Sequence, residues 1–344
     1  MLLAKDGPLR ELRAAYPEAI VLGASTAGEI AGAMVCDDTV SALALRFEAT
    51  KILGVSVRVE DSSKSWKAGE ELGRLLPHEG LRHVLVLGAG AINGSQFAQA
   101  LEVSLPKGVV ATGGLAGDGT RFKQSVVSLG EDCGSDRLVA VGLYGDRLRV
   151  SHGSAGGWQA FGPKRLVTAA EGNILISLDG QPALALYKRF LGERATGLPA
   201  TALLFPLQVL DASGQGGIVR TILNIDEERQ ALVFAGDIPV GSQTRLMRAG
   251  FDALVDGASQ AAGAAAPMEV EGDKAALLVS CVGRRLVMGQ RIEEEVEAVL
   301  SRLGLGVHAV GFYSYGEFCP GGTQAVCELH NQTMTLTVLG EAGA

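Results

Sequence analysis

The chain has 344 residues, 47% of them hydrophobic, with a formal net charge of −8 and a pI near 5.3. This length and apolar content supply core for two domains or one two-lobed unit, and the scattered basic residues leave no electrostatic footprint for nucleic acid. No apolar stretch reaches the roughly 18 residues of a membrane helix and the N-terminus lacks a secretory pattern, so no membrane contact and a cytoplasmic location are expected.

In chain order, apolar spacing predicts a helix over 7–16 that is stopped by Pro17, then a strand over 19–22. Strands over 40–47 and 52–59 precede a helix over 63–76, and a strand over 83–87 enters Gly88-Ala-Gly-Ala-Ile-Asn-Gly94 before a helix over 95–103. A strand over 109–112 leads into Gly113-Gly-Leu-Ala-Gly117-Asp118-Gly119, and strands near 125–128 and 138–144 close a first lobe. Strands over 165–170 and 173–178 and a helix after Pro182 straddle a lobe boundary placed near residue 175, giving domains 1–175 and 176–344. The second lobe is expected to hold strands over 203–210, 220–225 and 231–235, then a helix over 242–260 and a low-complexity loop over 261–266. A strand over 275–280, a helix over 290–303, and strands over 307–310 and 333–339 finish it. The pattern is mixed α/β, with one glycine-loop-rich sheet lobe per domain.

One eight-residue pattern occurs twice, each time after a short apolar run. Gly23-Ala-Ser25-Thr26-Ala-Gly28-Glu29-Ile30 and Gly311-Phe-Tyr313-Ser314-Tyr315-Gly316-Glu317-Phe318 both read Gly, two residues, Ser or Thr, one residue, Gly, Glu, apolar. Such a loop presents a hydroxyl, a carboxylate and bare amides at a sheet rim, which suggests a site built from both chain ends. With Asp118, each of three glycine loops carries a lone acid. These carboxylates either hold tight turns through neighbouring hydrogen bonds or recognise a cationic or amine group. His330-Asn331-Gln332-Thr333 adds a dense polar cluster.

Other motifs point to less. In Gly88–Gly94 the third glycine sits one residue late for a dinucleotide fingerprint, and no acidic strand end follows at the required distance; it reads as a loop and helix cap. The five cysteines are odd in number and dispersed, as reduced core thiols are, and Cys319, Cys327 and His330 lack metal-ligand spacing. No nucleophile elbow is present, so neither an enzyme nor a metal site is expected.

The duplicated motif, Gly113–Gly119, His152 through Trp158, Phe161-Gly-Pro163, Phe234-Ala-Gly-Asp-Ile-Pro239, Ser280-Cys-Val-Gly-Arg284-Arg285 and Leu329–Met334 resemble the FIST family of bacterial sensory proteins, in order and over almost the whole chain. The resemblance implies an N-terminal and a C-terminal FIST domain and an intracellular sensor of small ligands, with amino acids proposed. It implies output through a separate protein such as a histidine kinase, a chemotaxis transducer or a cyclic-dinucleotide enzyme. Some members are described as haem proteins that sense nitric oxide. Members usually carry a further strand before the first helix, so this chain is expected to lack one sheet element, and the usual cysteine is replaced at Ala24.

The resulting expectation is a small polar metabolite held between the lobes without a cofactor. Glu29 and Glu317 would meet an amino group, amides around Gly114 and Asp118 and the Arg284 or Arg285 guanidinium would face a carboxylate, and Ser25, Thr26, Tyr313, Ser314, Tyr315, His330 and Asn331 would complete the site. The alternative is a haem gas sensor with His330 or His152 as axial ligand. An enzyme using Cys319 or Cys281 and a scaffold with a vestigial pocket are the remaining readings.

Overall fold

The computed structural model describes residues 8–343 except 212, 215, 267, 269, 271 and 322–325. The chain begins with α1 (Pro8–Ala15), β1 (Leu22–Ala24), β2 (Glu29–Ala31), β3 (Met34–Cys36) and β4 (Lys51–Arg58). Next come α2 (Ser65–Leu75), β5 (Leu81–Gly88), α3 (Gly94–Ser104), β6 (Val110–Leu115), β7 (Val127–Leu129), β8 (Asp132–Gly134) and β9 (Arg137–Tyr144). After β10 (Leu148–Ala155), a strand-rich stretch holds β11 (Gln159–Glu171), β12 (Ile174–Leu178), β13 (Gln181–Pro182), α4 (Ala183–Leu191) and β14 (Leu207–Leu210). It continues with β15 (Gly217–Arg220), β16 (Ile222–Asp226), β17 (Ala231–Phe234) and β18 (Gln243–Arg248). The last part is α5 (Phe251–Ala265), β19 (Lys274–Cys281), α6 (Val282–Met288), α7 (Ile292–Leu303), β20 (Val307–Ser314), β21 (Gly316–Gly321), β22 (Val326–His330) and β23 (Met334–Glu341).

Two six-stranded sheets share one topology. The first runs β22-β21-β6-β5-β9-β4 and the second β3-β2-β20-β19-β23-β10. In each, a central parallel pair (β5 with β6, β19 with β20) is flanked by antiparallel neighbours on both sides. The parallel pairs need helical crossovers, supplied by α3 in the first sheet and by α6 and α7 in the second. The outermost hairpin of each sheet comes from the opposite end of the chain: β21–β22 completes the first sheet and β2–β3 the second.

Four layers result. Helices α2 and α3 cover the first sheet through Leu72, Phe97, Leu101, Val84 and Leu138, while α5 and α7 cover the second through Leu254, Ala258, Val296, Leu278 and Leu336. Between the sheets lie Leu87, Val127, Val139, Val279 and Phe312. Strands β5, β9 and β19 are thus buried on both faces, which is why they read as near-continuous apolar runs. The short β1-β7-β8 sheet packs at the rim of this interface through Leu22 and Leu129.

The stretch from β11 to β18 forms the second lobe, a curled half-barrel in which α4 buries Leu184, Leu186 and Tyr187 against Leu175, Leu232 and Phe234. Residue 175 falls inside β12, in the middle of this sheet. The lobe docks on the sandwich through Arg220, buried to 6% exposure, whose Nη1 donates to the Leu329 carbonyl at 2.6 Å and Nη2 to Ser95 Oγ at 3.2 Å. Asn93 Nδ2 donates to Asp237 Oδ1 at 2.8 Å across the same contact.

Three sequence expectations are corrected. The alternating stretch 40–47 joins no ladder; Leu43 and Phe47 pack on the rim of the core instead. The helix expected over 242–260 is strand β18 followed by α5. The alanine run after it continues that helix rather than looping, because Ala is the best helix former and its small side chain lets the backbone lie close to the sheet. A Cβ at Gly153 of β10 would stand 2.0 Å from the Ala261 carbonyl.

Candidate functional site

Both copies of the duplicated motif are places where the chain leaves one sheet to enter another. At the second copy, β20 ends at Ser314 and β21 begins at Gly316 in the other sheet, where Glu317 pairs with Gly114 and His330. At the first, the chain passes from β1 into β2, beside β20. The two crossings clasp each other: Ala27 N donates to the Tyr313 carbonyl and Tyr313 N to the Gly28 carbonyl, both at 2.8 Å. Gly28 sits at φ +129°, a conformation that favours glycine, and a Cβ there would displace the Arg285 guanidinium, whose Nη1 would stand 2.3 Å away.

Within each copy the hydroxyl binds the glutamate three residues on. Thr26 Oγ1 donates to Glu29 Oε1, and Ser314 Oγ donates to Glu317 Oε1 at 2.6 Å. Glu29 also accepts from Thr39 Oγ1 at 2.9 Å and its amide at 3.2 Å; Glu317 accepts from Thr333 Oγ1 at 2.9 Å. Ser25 Oγ accepts from Val126 N at 2.8 Å. The two glutamates are therefore not gathered around one amino group: each is held in a different sheet by its own hydroxyls. Gly114 faces the sheet interface, where a Cβ would meet Val279 Cγ1 at 2.7 Å. Glu317 is fully buried, and desolvation pushes its pKa up to about 8 despite the hydroxyls of Ser314 and Thr333.

The two arginines serve structure. Arg284 is fully buried and paired with equally buried Glu295 at 2.7 Å, while its remaining donors reach the carbonyls of Gly156 (2.5 Å) and Leu254 (2.8 Å). Ser280 Oγ and Tyr313 OH donate to Glu295 at 3.0 and 2.9 Å, closing the network. Arg285 grips Asp37 with two bonds of 2.8 and 2.6 Å and donates to the Ala27 carbonyl at 2.5 Å.

The residues brought to an open cavity are others. A cleft of about 790 Å³ lies between the sandwich and the half-barrel. Its walls come from Gly90 and Ala91, from Thr120 and 122–125, from Ser135, from 197–200 and Leu203, from Leu223 and Asn224, and from Tyr315. Of the sequence candidates, Tyr315 lines it and Asp118 stands behind it: the tyrosine hydroxyl donates to Asp118 Oδ1 and lies 3.1 Å from the Gly119 carbonyl. Burial opposes the Asp118 charge, yet the amides of Gln124 and Lys123 (2.9 and 3.0 Å) and the Tyr315 hydroxyl keep its pKa below the usual carboxylate range. Lys123 is the one charged side chain on the cleft wall among the described residues. The sequence reading missed Phe122 and Lys123; the signal was an aromatic and a cation just beyond the Gly117-Asp118-Gly119 turn.

His330, the last residue of β22, and Asn331, which opens the turn to β23, are buried at 8% and 1% exposure. The His330 Nε2 faces the Cys319 carbonyl at 3.0 Å, and burial lowers its pKa to about 4. His152 is half-buried on β10, where desolvation also lowers its pKa. Neither histidine lines the cleft, so these residues do not fit a haem there. Cys281, Cys319 and Cys327 are buried, with desolvation raising each thiol, Cys319 to about 12; the reactive thiolate form is disfavoured. Among the described residues no cluster of three His, Cys, Asp or Glu side chains could hold a metal ion, and no helix is long and apolar enough to cross a membrane.

The chain matches no curated protein. A solved structure of a cyanuric acid hydrolase from A. caulinodans aligns at 11% identity over 86% of this chain and 100% of its own length, with a TM-score of 0.20, a likeness too slight to argue from. Family models are decisive: the FIST N domain matches residues 4–181 and the FIST C domain residues 183–320. The half-barrel is shared between these matches, β11 to β13 falling in the first and β14 to β18 in the second. The chain with its two clasped crossings belongs to the FIST family, whose domains are associated with sensing in signal transduction.

Proposed function

We propose that this protein senses a small polar metabolite of the amino-acid class, bound in the inter-lobe cleft, and signals without catalysing a reaction. The observation that carries this reading is the cleft's position: its walls belong to both lobes and its volume of about 790 Å³ suits a small molecule. Lys123 is placed to meet a carboxylate, while backbone and hydroxyl groups of Gly90, Ser125 and Ser135 offer further polar contacts. A ligand touching both lobes prefers the lobe arrangement that fits it, and that difference in affinity is the signal. The output passes to a separate cytoplasmic signalling protein, such as a histidine kinase, a chemotaxis transducer or a cyclic-dinucleotide enzyme. The buried, proton-bearing cysteines and the committed histidines support binding over turnover.

Native mass spectrometry of the purified protein tests this reading. An adduct of amino-acid mass that disappears under denaturing conditions is expected, and Ala200→Trp, which fills the exposed side of the cleft, should abolish it. An adduct that persists in Ala200→Trp would place the ligand elsewhere. A haem-sized adduct would replace the metabolite reading.

A further inference from the structure

We infer that the cleft selects a ligand carrying an aromatic ring beside its carboxylate, with the ring stacked on Phe122. This inference rests on the cleft being the ligand site and goes further by naming the ligand's body. Phe122 lies parallel to Tyr315, with ring centroids 4.7 Å apart and planes 19° apart, and both rings line the cleft. The tyrosine is fixed from behind, its hydroxyl bound to Asp118 and close to the Gly119 carbonyl. Asp118 in turn accepts from the amides of Lys123 and Gln124, so one carboxylate anchors the tyrosine and folds the loop that carries Phe122.

That loop holds Phe122 at φ +51°, a left-handed conformation that bulky L-residues rarely adopt. Burial does not explain the choice, because Phe122 keeps 48% of its surface exposed. A glycine would take this backbone without strain and leave the Asp118 bonds intact. The chain instead holds a large apolar ring in a strained position on a cavity wall, the kind of outlier that points to function. Leu198, Pro199, Leu203 and Leu223 add apolar surface to the cleft, and Lys123 sets a cation one residue from the ring. An aryl group packed on Phe122 with its carboxylate at Lys123 satisfies both features. Offset stacking adds to the area buried by an aliphatic chain of similar size, by up to about tenfold in affinity.

Isothermal titration of the full chain with L-tryptophan, L-phenylalanine, L-leucine and L-aspartate tests the inference. The aromatic pair should bind about tenfold more tightly than leucine, and aspartate should be weakest. Phe122→Gly should erase the aromatic preference while the thermal transition of the free protein stays in place, and Phe122→Tyr should restore it. Leucine or aspartate binding as tightly as the aromatic pair would overturn the ring requirement yet leave the amino-acid cleft standing. Aromatic binding unchanged in Phe122→Gly would likewise overturn it. Failure of all four to bind would remove the amino-acid reading together with the ring.

Discussion

The two sheet crossings obey one local rule in two environments. Each uses a hydroxyl and a glutamate three residues apart, yet Glu29 lies partly open near Thr39, whereas Glu317 and Ser314 are wholly sealed from solvent. The hydrogen bonds are equivalent; the surroundings are not. A carboxylate at the rim exchanges water for hydroxyls at little net gain, but one sealed between sheets must stay satisfied or impose its full desolvation cost on the fold. Sequence identity between repeats therefore predicts geometry far better than energy.

The sharpest way to break the symmetry is to delete each carboxylate. Glu317→Ala leaves the hydroxyls of Ser314 and Thr333 buried without a partner and should cost about 3 kcal/mol in chemical denaturation, against about 1 kcal/mol or less for Glu29→Ala. Equal losses at the two sites would dissolve the contrast.

A pH series comes next in size. The Glu317 carboxyl has a folded pKa of about 8, above its ordinary 4.5, so the folded form holds a proton that the unfolded form releases. Its contribution is complete below pH 4.5 and declines until about pH 8, and Glu317→Gln removes this dependence. The stability of Glu317→Gln relative to the natural protein should rise by about 2–3 kcal/mol between pH 5 and pH 7. A difference that stays flat or falls would show that Glu317 is ionised in the fold.

Smaller again is Ser314→Ala, expected to cost about 1 kcal/mol because Thr333 still serves the carboxyl. Thr26→Ala should cost about 0.5 kcal/mol, since Glu29 retains Thr39 and water. Urea midpoints of the pair measure this last gap, and a larger loss in Thr26→Ala would reverse the ranking of the two crossings.

The buried strands were legible because a sheet covered on both faces writes a near-continuous apolar run, as in Leu81–Gly88 and Arg137–Tyr144. The helices Ala183–Leu191 and Ile292–Leu303 each close at a glycine of positive φ, Gly192 and Gly304. Strands β2, β3, β21 and β22 left little trace. The first two span three residues each, the others carry Gly, Glu, Pro and His in place of apolar alternation, and each hairpin joins its sheet through a strand from the far end of the chain. The motif at Gly23 and Gly311 was visible as a repeat, but strand exchange was not, because an eight-residue pattern holds no information about which distant edge it will meet. The cleft was half legible: Tyr315 and Asp118 fell among the sequence candidates, while the strained ring of Phe122 depends on backbone geometry that composition does not encode.

The exchanged hairpins also govern the order of events during synthesis. Glu29–Ala31 leaves the ribosome early and has only its hairpin partner Met34–Cys36 beside it until Val307–Ser314 follows, and the outer edge of Val110–Leu115 stays bare until Gly316–Gly321 is made. Neither sheet can be finished before these late strands are made. A chain truncated after the FIST N segment exposes a strand edge built to receive a partner, which makes it a template for aggregation rather than a small stable domain. The closing step joins residues from opposite ends of the polypeptide, so its rate is set by the search for those distant pairings.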